Sequence, residues 1–199
     1  MTAQVETGSS PQAPAEQSLA ARLQRFVGRP SRPPVSAADP VNQPMIRHWC
    51  DAIGDGNPVY TDLQAAGASR HRGLVAPPTM LQVWNMPGLR PVPPLPGEDQ
   101  LGELMGILDQ AGYTAIVATN CEQEYERYLH LGDLLTGESV IEDVSAEKRT
   151  ALGAGHFVTT RTDFKDEDGG LVGTMRFRIL KFRPPEDKEQ SEQIGRAHV

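Results

Sequence analysis

The chain has 199 residues, enough for one domain with a sizeable core, with or without tails. Hydrophobic residues make up 38%, the mean hydropathy is -0.42 and no apolar run approaches the length that spans a bilayer, so a soluble chain with no membrane association is expected. A formal net charge of -7 argues against a nucleic-acid surface, yet leaves room for a small anionic ligand held by a few local arginines.

The two cysteines, Cys50 and Cys121, lie far apart and lack CxxC spacing. They read as reduced thiols of a cytoplasmic protein and not as a metal site. The N-terminus has no charged-then-apolar pattern, so no secretory signal is expected.

Residues 1–14 are rich in Ser, Pro, Gln and Ala and are expected to be disordered. A domain is expected over residues 15–185 and a flexible tail over 186–199, whose His198 is not read as functional. Leu19, Leu23, Phe26 and Val27 predict a short amphipathic helix ending near Gly28. Arg29 to Pro34 is an extended connector. Ile46, Trp49, Cys50 and Ile53 follow at i, i+3, i+4 and i+7, one apolar helical face closed by Gly54. A further short helix is expected after Thr61 or Asp62. The run Leu74 to Trp84 reads as a turn leading into a long apolar helix after Pro78, since proline is tolerated in a first helical turn. Residues 87–98 hold five prolines and form a long irregular loop, a candidate lid. Leu104, Ile107, Leu108 and Ala111 give another helical stripe, closed by Gly112.

From Ala115 the period changes. Ile116-Val117, Cys121, Tyr125 and Tyr128 fall in a strand-like run, and Leu134–Ile141, His156–Phe164 and Leu171–Phe182 are strands, the last two joined by the turn Asp166–Gly170. That acidic turn lacks the spaced ligands of a calcium loop. Helices first and antiparallel strands after define an α+β class.

The segment Gly54-Asp55-Gly56-Asn57-Pro58-Val59-Tyr60-Thr61-Asp62 carries the chemistry. Pro58 pushes Asn57 out of the helical region, so Asp55 and Asn57 sit on a stiff loop at the end of a buried helix. Two readings stand side by side: working polar groups, or side chains that only hydrogen-bond the turn.

This motif, with Gly73-Leu74-Val75-Ala76-Pro77-Pro78 and a strand-rich second half, resembles a MaoC-type hot-dog dehydratase over residues 36–183. More narrowly it is similar to the N-terminal-half dehydratase type, as in the larger subunit of actinobacterial heteromeric enoyl-CoA hydratases acting on steroid side-chain thioesters. The resemblance implies a hot-dog fold, an antiparallel sheet wrapped around a central helix, with two hot dogs paired side by side and acyl-CoA between them. It implies an Asp and, five residues later, a His that hold the water added to a 2-enoyl thioester, while a backbone N–H polarises the carbonyl. Asp55 matches that aspartate, but Tyr60 stands at the histidine position. A phenol with a pKa near ~10 is a poor proton shuttle where a histidine near ~6.5 is well placed. Pro77 and Pro78 have no N–H to offer.

Asp55, Asn57, Tyr60, Arg70, His71, Arg72 and Trp84 are therefore the candidate substrate-site residues, with Asp55 the one candidate for catalysis. His71 is either a stand-in for the missing histidine or a loop residue whose basicity Arg70 and Arg72 depress. The two arginines either contact CoA phosphates or are solvated. Trp84, Met80 and Met86 either line an acyl channel or pack the core. His48, His130 and His156 read as surface or structural residues. The expected function is a subunit that shapes the acyl-CoA pocket while a smaller hot-dog partner supplies Asp and His, with no metal and no cofactor beyond the thioester. The rival expectations are a self-sufficient hydratase using Asp55 with His71 or Tyr60, and a non-catalytic assembly module.

Overall fold

The structure, a computed structural model, describes residues 18–89 and 93–184. The expected N-terminal disorder and C-terminal tail lie outside the described residues.

Helix α1 spans Leu19–Gln24, with the Ser18 side chain capping its start. Helix α2 spans Gln43–Ile53. The Asn42 side chain accepts the Met45 N–H at 3.1 Å, Pro44 lies in the first turn, and Gly54 closes the helix in the left-handed region at φ 72°. Ile46 and Cys50 are buried as expected, but Ile53 is 56% exposed. The apolar stripe stops early because Ile53 is the last helical residue, where the chain leaves the core for the following turn. Helices α3 (Pro58–Thr61) and α4 (Leu63–Ala68) share the boundary residue Asp62, whose carboxylate accepts from Gln64 and Ala65 N–H.

The long helix expected after Pro78 is absent. Its place is taken by two 3-10 turns, Pro78–Met80 and Val83–Asn85. Met86 precedes Pro87 and is extended at ψ 129°, as the proline demands, so no helix can propagate past Asn85. The Asn85 amide also donates to Val35 and Leu135 carbonyls at 2.7 and 3.1 Å, which fastens this segment to strand edges instead of a helical ladder. The helix that lies on the sheet is α5, Gln100–Gln110.

The strands are β1 (Val35–Ser36), β2 (Ala115–Tyr125), β3 (Thr136–Val144), β4 (Lys148–Thr150), β5 (Gly153–Lys165) and β6 (Leu171–Phe182). All pair antiparallel in the order β1-β3-β5-β6-β2, with β4 beside β5. Tyr128, expected in a strand, falls beyond the end of β2.

One face of the sheet carries two covers. At one end Leu104, Ile107 and Leu108 of α5, with Leu23 and Phe26, pack on Ile141, Val144 and Val158. Lys181, only 6% exposed, ties β6 to this helix through Asp109 at 2.6 Å. At the other end Val75, Ala76, Met80, Leu81 and Trp84 of the irregular segment, with Ile46, Cys50 and Tyr60, pack on Leu135, Phe164, Val172 and Met175. This is the α+β hot-dog arrangement, with α5 as its central helix. Leu108 is fully buried, so Leu108→Ala should cost about 2–5 kcal/mol in a urea titration, whereas Leu152→Ala at an exposed turn should stay within about 0.5 kcal/mol of wild type.

Candidate substrate site

The site is assembled where the end of α2, helix α3, the loop 69–77 and the loop 126–135 meet. Its sequence motif is first of all a piece of turn chemistry. The Asp55 N–H donates to the Cys50 carbonyl at 2.9 Å, and Asp55 Oδ1 accepts the Asn57 N–H at 3.0 Å. Asn57 Oδ1 in turn accepts the Val59 N–H at 3.3 Å and caps α3. Both side chains thus hold the turn, and what they hold is Tyr60, one turn further along and 8% exposed.

The Tyr60 phenol is kept neutral. Burial pushes its pKa up, and the neighbouring Tyr128, Asp55 and Cys50 add to this, against a weaker opposing contribution from the Asn57 side chain. A hydroxyl in that state donates or accepts a hydrogen bond but does not relay a proton as an imidazole would.

His71 arrives from the opposite side. Its ring lies 4.4 Å from that of Tyr128 at 53°, and its N–H donates to Ser69 Oγ at 3.1 Å. Burial lowers the imidazole pKa, and Arg70 and His130 lower it further, so His71 is neutral at pH 7. The Arg70 guanidinium stands 5.9 Å from the Tyr128 ring centroid and puts Nε 3.5 Å from His71 Nε2. Arg72 is exposed and sits at φ 57°, a left-handed conformation costly for a side-chain-bearing residue, with its N–H bonded to the Ser69 carbonyl. Tyr60, His71 and Arg70 therefore share one neighbour, Tyr128. The described hydrogen bonds include none between Asp55 and His71, so the imidazole is in the cluster but is not joined to the carboxylate.

Behind this cluster runs the segment 74–78. Ala76 N–H donates to the Leu129 carbonyl at 2.8 Å and Val75 bridges to His130, which aligns Pro77 and Pro78 along the site without an N–H from either. Trp84 is buried in the same core cluster, its indole N–H without a partner among the described residues, while Met86 points outward and is exposed. Two concavities of about 260 and 380 Å³ lie at the other end of the sheet, around Tyr113, Glu147, His156 and Arg183, and border none of these residues. No cluster of metal-ligating side chains occurs among the described residues. Tyr128 is the residue the sequence pattern misassigned: read as part of a strand, it belongs to the loop between β2 and β3.

The fold and the turn-mounted Asp55-Gly56-Asn57-Pro58 motif together define a hot-dog domain of the dehydratase type. The family model described as FAS1-like, dehydratase domain region, matches residues 25–175, and the chain belongs to that family. It is 46% identical over 177 residues to a probable enoyl-CoA hydratase alpha subunit of Thermomonospora curvata, covering 88% of this chain and 55% of the relative. It is 50% identical over 157 residues to the 3-oxo-4,17-pregnadiene-20-carboxyl-CoA hydratase alpha subunit of Mycobacterium tuberculosis, covering 78% of this chain and 49% of the relative. The chain spans about half the length of these curated relatives. A chain in the crystal structure of the ChsH1-ChsH2 complex from Mycobacterium tuberculosis superposes with a TM-score of 0.77 at 44% identity, covering 85% of this chain and 94% of that one.

The raised phenol pKa has a stability consequence of definite sign. The fold favours neutral Tyr60, so its contribution is intact below the unfolded pKa of about 10 and is lost as pH rises beyond it. Urea midpoints of wild type and Tyr60→Phe should therefore converge, or cross in favour of Phe, between pH 8 and pH 10.5. A difference independent of pH would contradict the buried, neutral phenol.

Proposed function

We propose that this chain is the non-catalytic-dyad subunit of a heteromeric MaoC-type enoyl-CoA hydratase acting on a bulky 2-enoyl-CoA of the steroid side-chain type. The observation that carries this reading is Tyr60: a buried, neutral phenol where hydration needs an imidazole. Two relatives bearing the name of hydratase alpha subunits, one of them for a pregnadiene carboxyl-CoA, and the similarity to a chain of a two-protein complex support both the partner and the substrate class.

In the reaction, water oxygen bonds to the β-carbon of the enoyl thioester, one water proton passes to a base, and an acid returns a proton to the α-carbon. Negative charge gathers on the thioester oxygen on the way, where a preorganised donor lowers the barrier. In this proposal a smaller hot-dog partner supplies the Asp, the His and the N–H donor. This chain supplies a wall: Tyr60, Asn57, His71 and Trp84 toward the acyl group, and Arg70 and Arg72 toward the CoA phosphates. Asp55 holds the turn that seats Tyr60. No cofactor beyond the thioester is required, and the setting is the cytoplasm.

The partner continues the sheet at β2. This strand has eleven residues and one neighbour, β6, and exposes Ile116, Val117 and Tyr125, whereas the opposite edge strand β1 has two residues. Tyr125→Asp should abolish co-purification with the partner while leaving the isolated chain folded. Retained co-purification would move the interface elsewhere.

The catalytic test is an enoyl-CoA hydration assay on the chain alone and with its partner. Only the pair should turn over. Asp55→Ala or Tyr60→Phe here should cost less than about tenfold, and substitution of the partner's acid or base about 10²–10⁴-fold. The reading fails if the chain alone hydrates at enzymatic rates and Asp55→Ala abolishes that activity with the fold intact.

A further inference from the structure

One side chain, Arg127, makes three of the bonds that fasten the loop between β2 and β3, beside the Leu134 N–H to Glu167 Oε2 at 3.3 Å and the backbone bonds of Gly132 and Asp133 to Val41. Arg127 Nη1 donates to Asp133 Oδ2 at 2.6 Å and to the Tyr128 carbonyl at 3.1 Å, while Nη2 donates to Asp166 Oδ2 at 3.0 Å. Each acceptor is itself committed. Asp133 Oδ2 also takes the His130 N–H at 2.9 Å, and Asp166 Oδ1 takes the Gly170 N–H at 2.7 Å. One planar guanidinium thus joins the β2–β3 loop to the β5–β6 turn, two segments 39 residues apart in sequence. Between these fastenings the loop is stitched to the site through Leu129 O to Ala76 N–H and the His130–Val75 bridge. What the loop presents there is Tyr128, against which His71 and Arg70 are set.

We propose that Arg127 is a positioning residue of the substrate site: it clamps the β2–β3 loop so that Tyr128 forms the platform that sets His71 and Arg70 beside Tyr60. Arg127 bonds the two carboxylates and the Tyr128 carbonyl, and acts through Tyr128. The clamp needs a fork. A lysine ammonium at this position carries the charge but reaches one of two carboxylates lying in different directions. The kinetic part of the proposal rests on the hydratase reading; the positioning part does not.

The test uses Arg127→Ala, Arg127→Lys, Tyr128→Phe, Tyr128→Ala and the double Arg127→Ala/Tyr128→Ala, in the full chain co-purified with its partner. The first readout is the His71 imidazole titration by proton NMR, assigned by its loss in His71→Gln. Its local charges, Arg70 and His130, are unchanged in every variant. Losing the clamp or the platform admits water to the ring, so the His71 midpoint should move up toward about 6.5 in Arg127→Ala and Tyr128→Ala. Tyr128→Phe keeps the platform and should keep the wild-type midpoint, and Arg127→Lys should lie between.

The second readout is hydration kinetics. KM for enoyl-CoA should rise about tenfold in Arg127→Ala, the loss of about one charge-assisted contact, with kcat within about twofold. The double variant should be no worse than Tyr128→Ala alone, because the two act in series. An unchanged His71 midpoint in folded Arg127→Ala overturns the proposal, as do KM effects that multiply in the double variant. If Arg127→Ala does not fold, Arg127→Lys decides, and a wild-type midpoint there overturns it. If no pairing hydrates enoyl-CoA and the His71 midpoint still moves, the functional reading fails while the clamp stands.

Discussion

The structure depends on how one face of a long antiparallel sheet is covered. An eleven-residue helix covers one end, with side chains at helical spacing and a tie from the buried Lys181 to the exposed Asp109 at its close. The other end is too irregular for a helix, because Pro77, Pro78 and Pro87 bracket a segment of eight residues. That end is closed by 3-10 turns, α2 and α3, and an irregular cover has rims. The backbone polar groups at those rims need partners, and the Asp55, Asn57 and Asp62 side chains provide them. The candidate site is the rim itself: turn-forming carboxylates and amides, with one aromatic side chain inserted beneath them.

Much of this was legible in the residues. The alternation from Leu171 to Phe182 and the stripe Leu104, Ile107, Leu108 gave β6 and α5 close to their observed bounds. Gly54 marked the end of α2 because a left-handed residue was needed there. What was not legible is tertiary. The run after Pro78 has helical composition, and only the pull of Asn85 toward Val35 and Leu135 and the constraint of Pro87 on Met86 show that it cannot form a helix. Tyr128 follows a strand and looks like its continuation, but the Arg127 ion pairs turn the chain out of the sheet. The Tyr128 failure comes from a side chain bonded to a carboxylate 39 residues away, and the missing helix from Asn85 bonds spanning 50 residues together with the local constraint of Pro87.

The site's residues were mostly nameable, but their roles were not. Asp55 and Asn57 fit a catalytic reading and a turn reading equally from spacing, and the observed bonds commit one oxygen of each to the turn. His71 was nameable as a nearby imidazole. Its tilted contact with Tyr128, and the burial that keeps it neutral, required the fold.

Two departures from an acid–base hydratase site now bear on each other. Tyr60 is buried in a core cluster with Cys50, Leu129 and Val75, where burial disfavours a charged side chain, and a phenol suits that position because it stays neutral. Likewise the Pro77-Pro78 pair, which opens a 3-10 turn, fixes the backbone there and offers no N–H donors. Each change trades proton transfer or charge stabilisation for rigidity and apolar surface. A wall for a bulky acyl group needs those two properties, and a centre of proton transfer needs their opposites, so both features support the proposed reading of this chain as a wall.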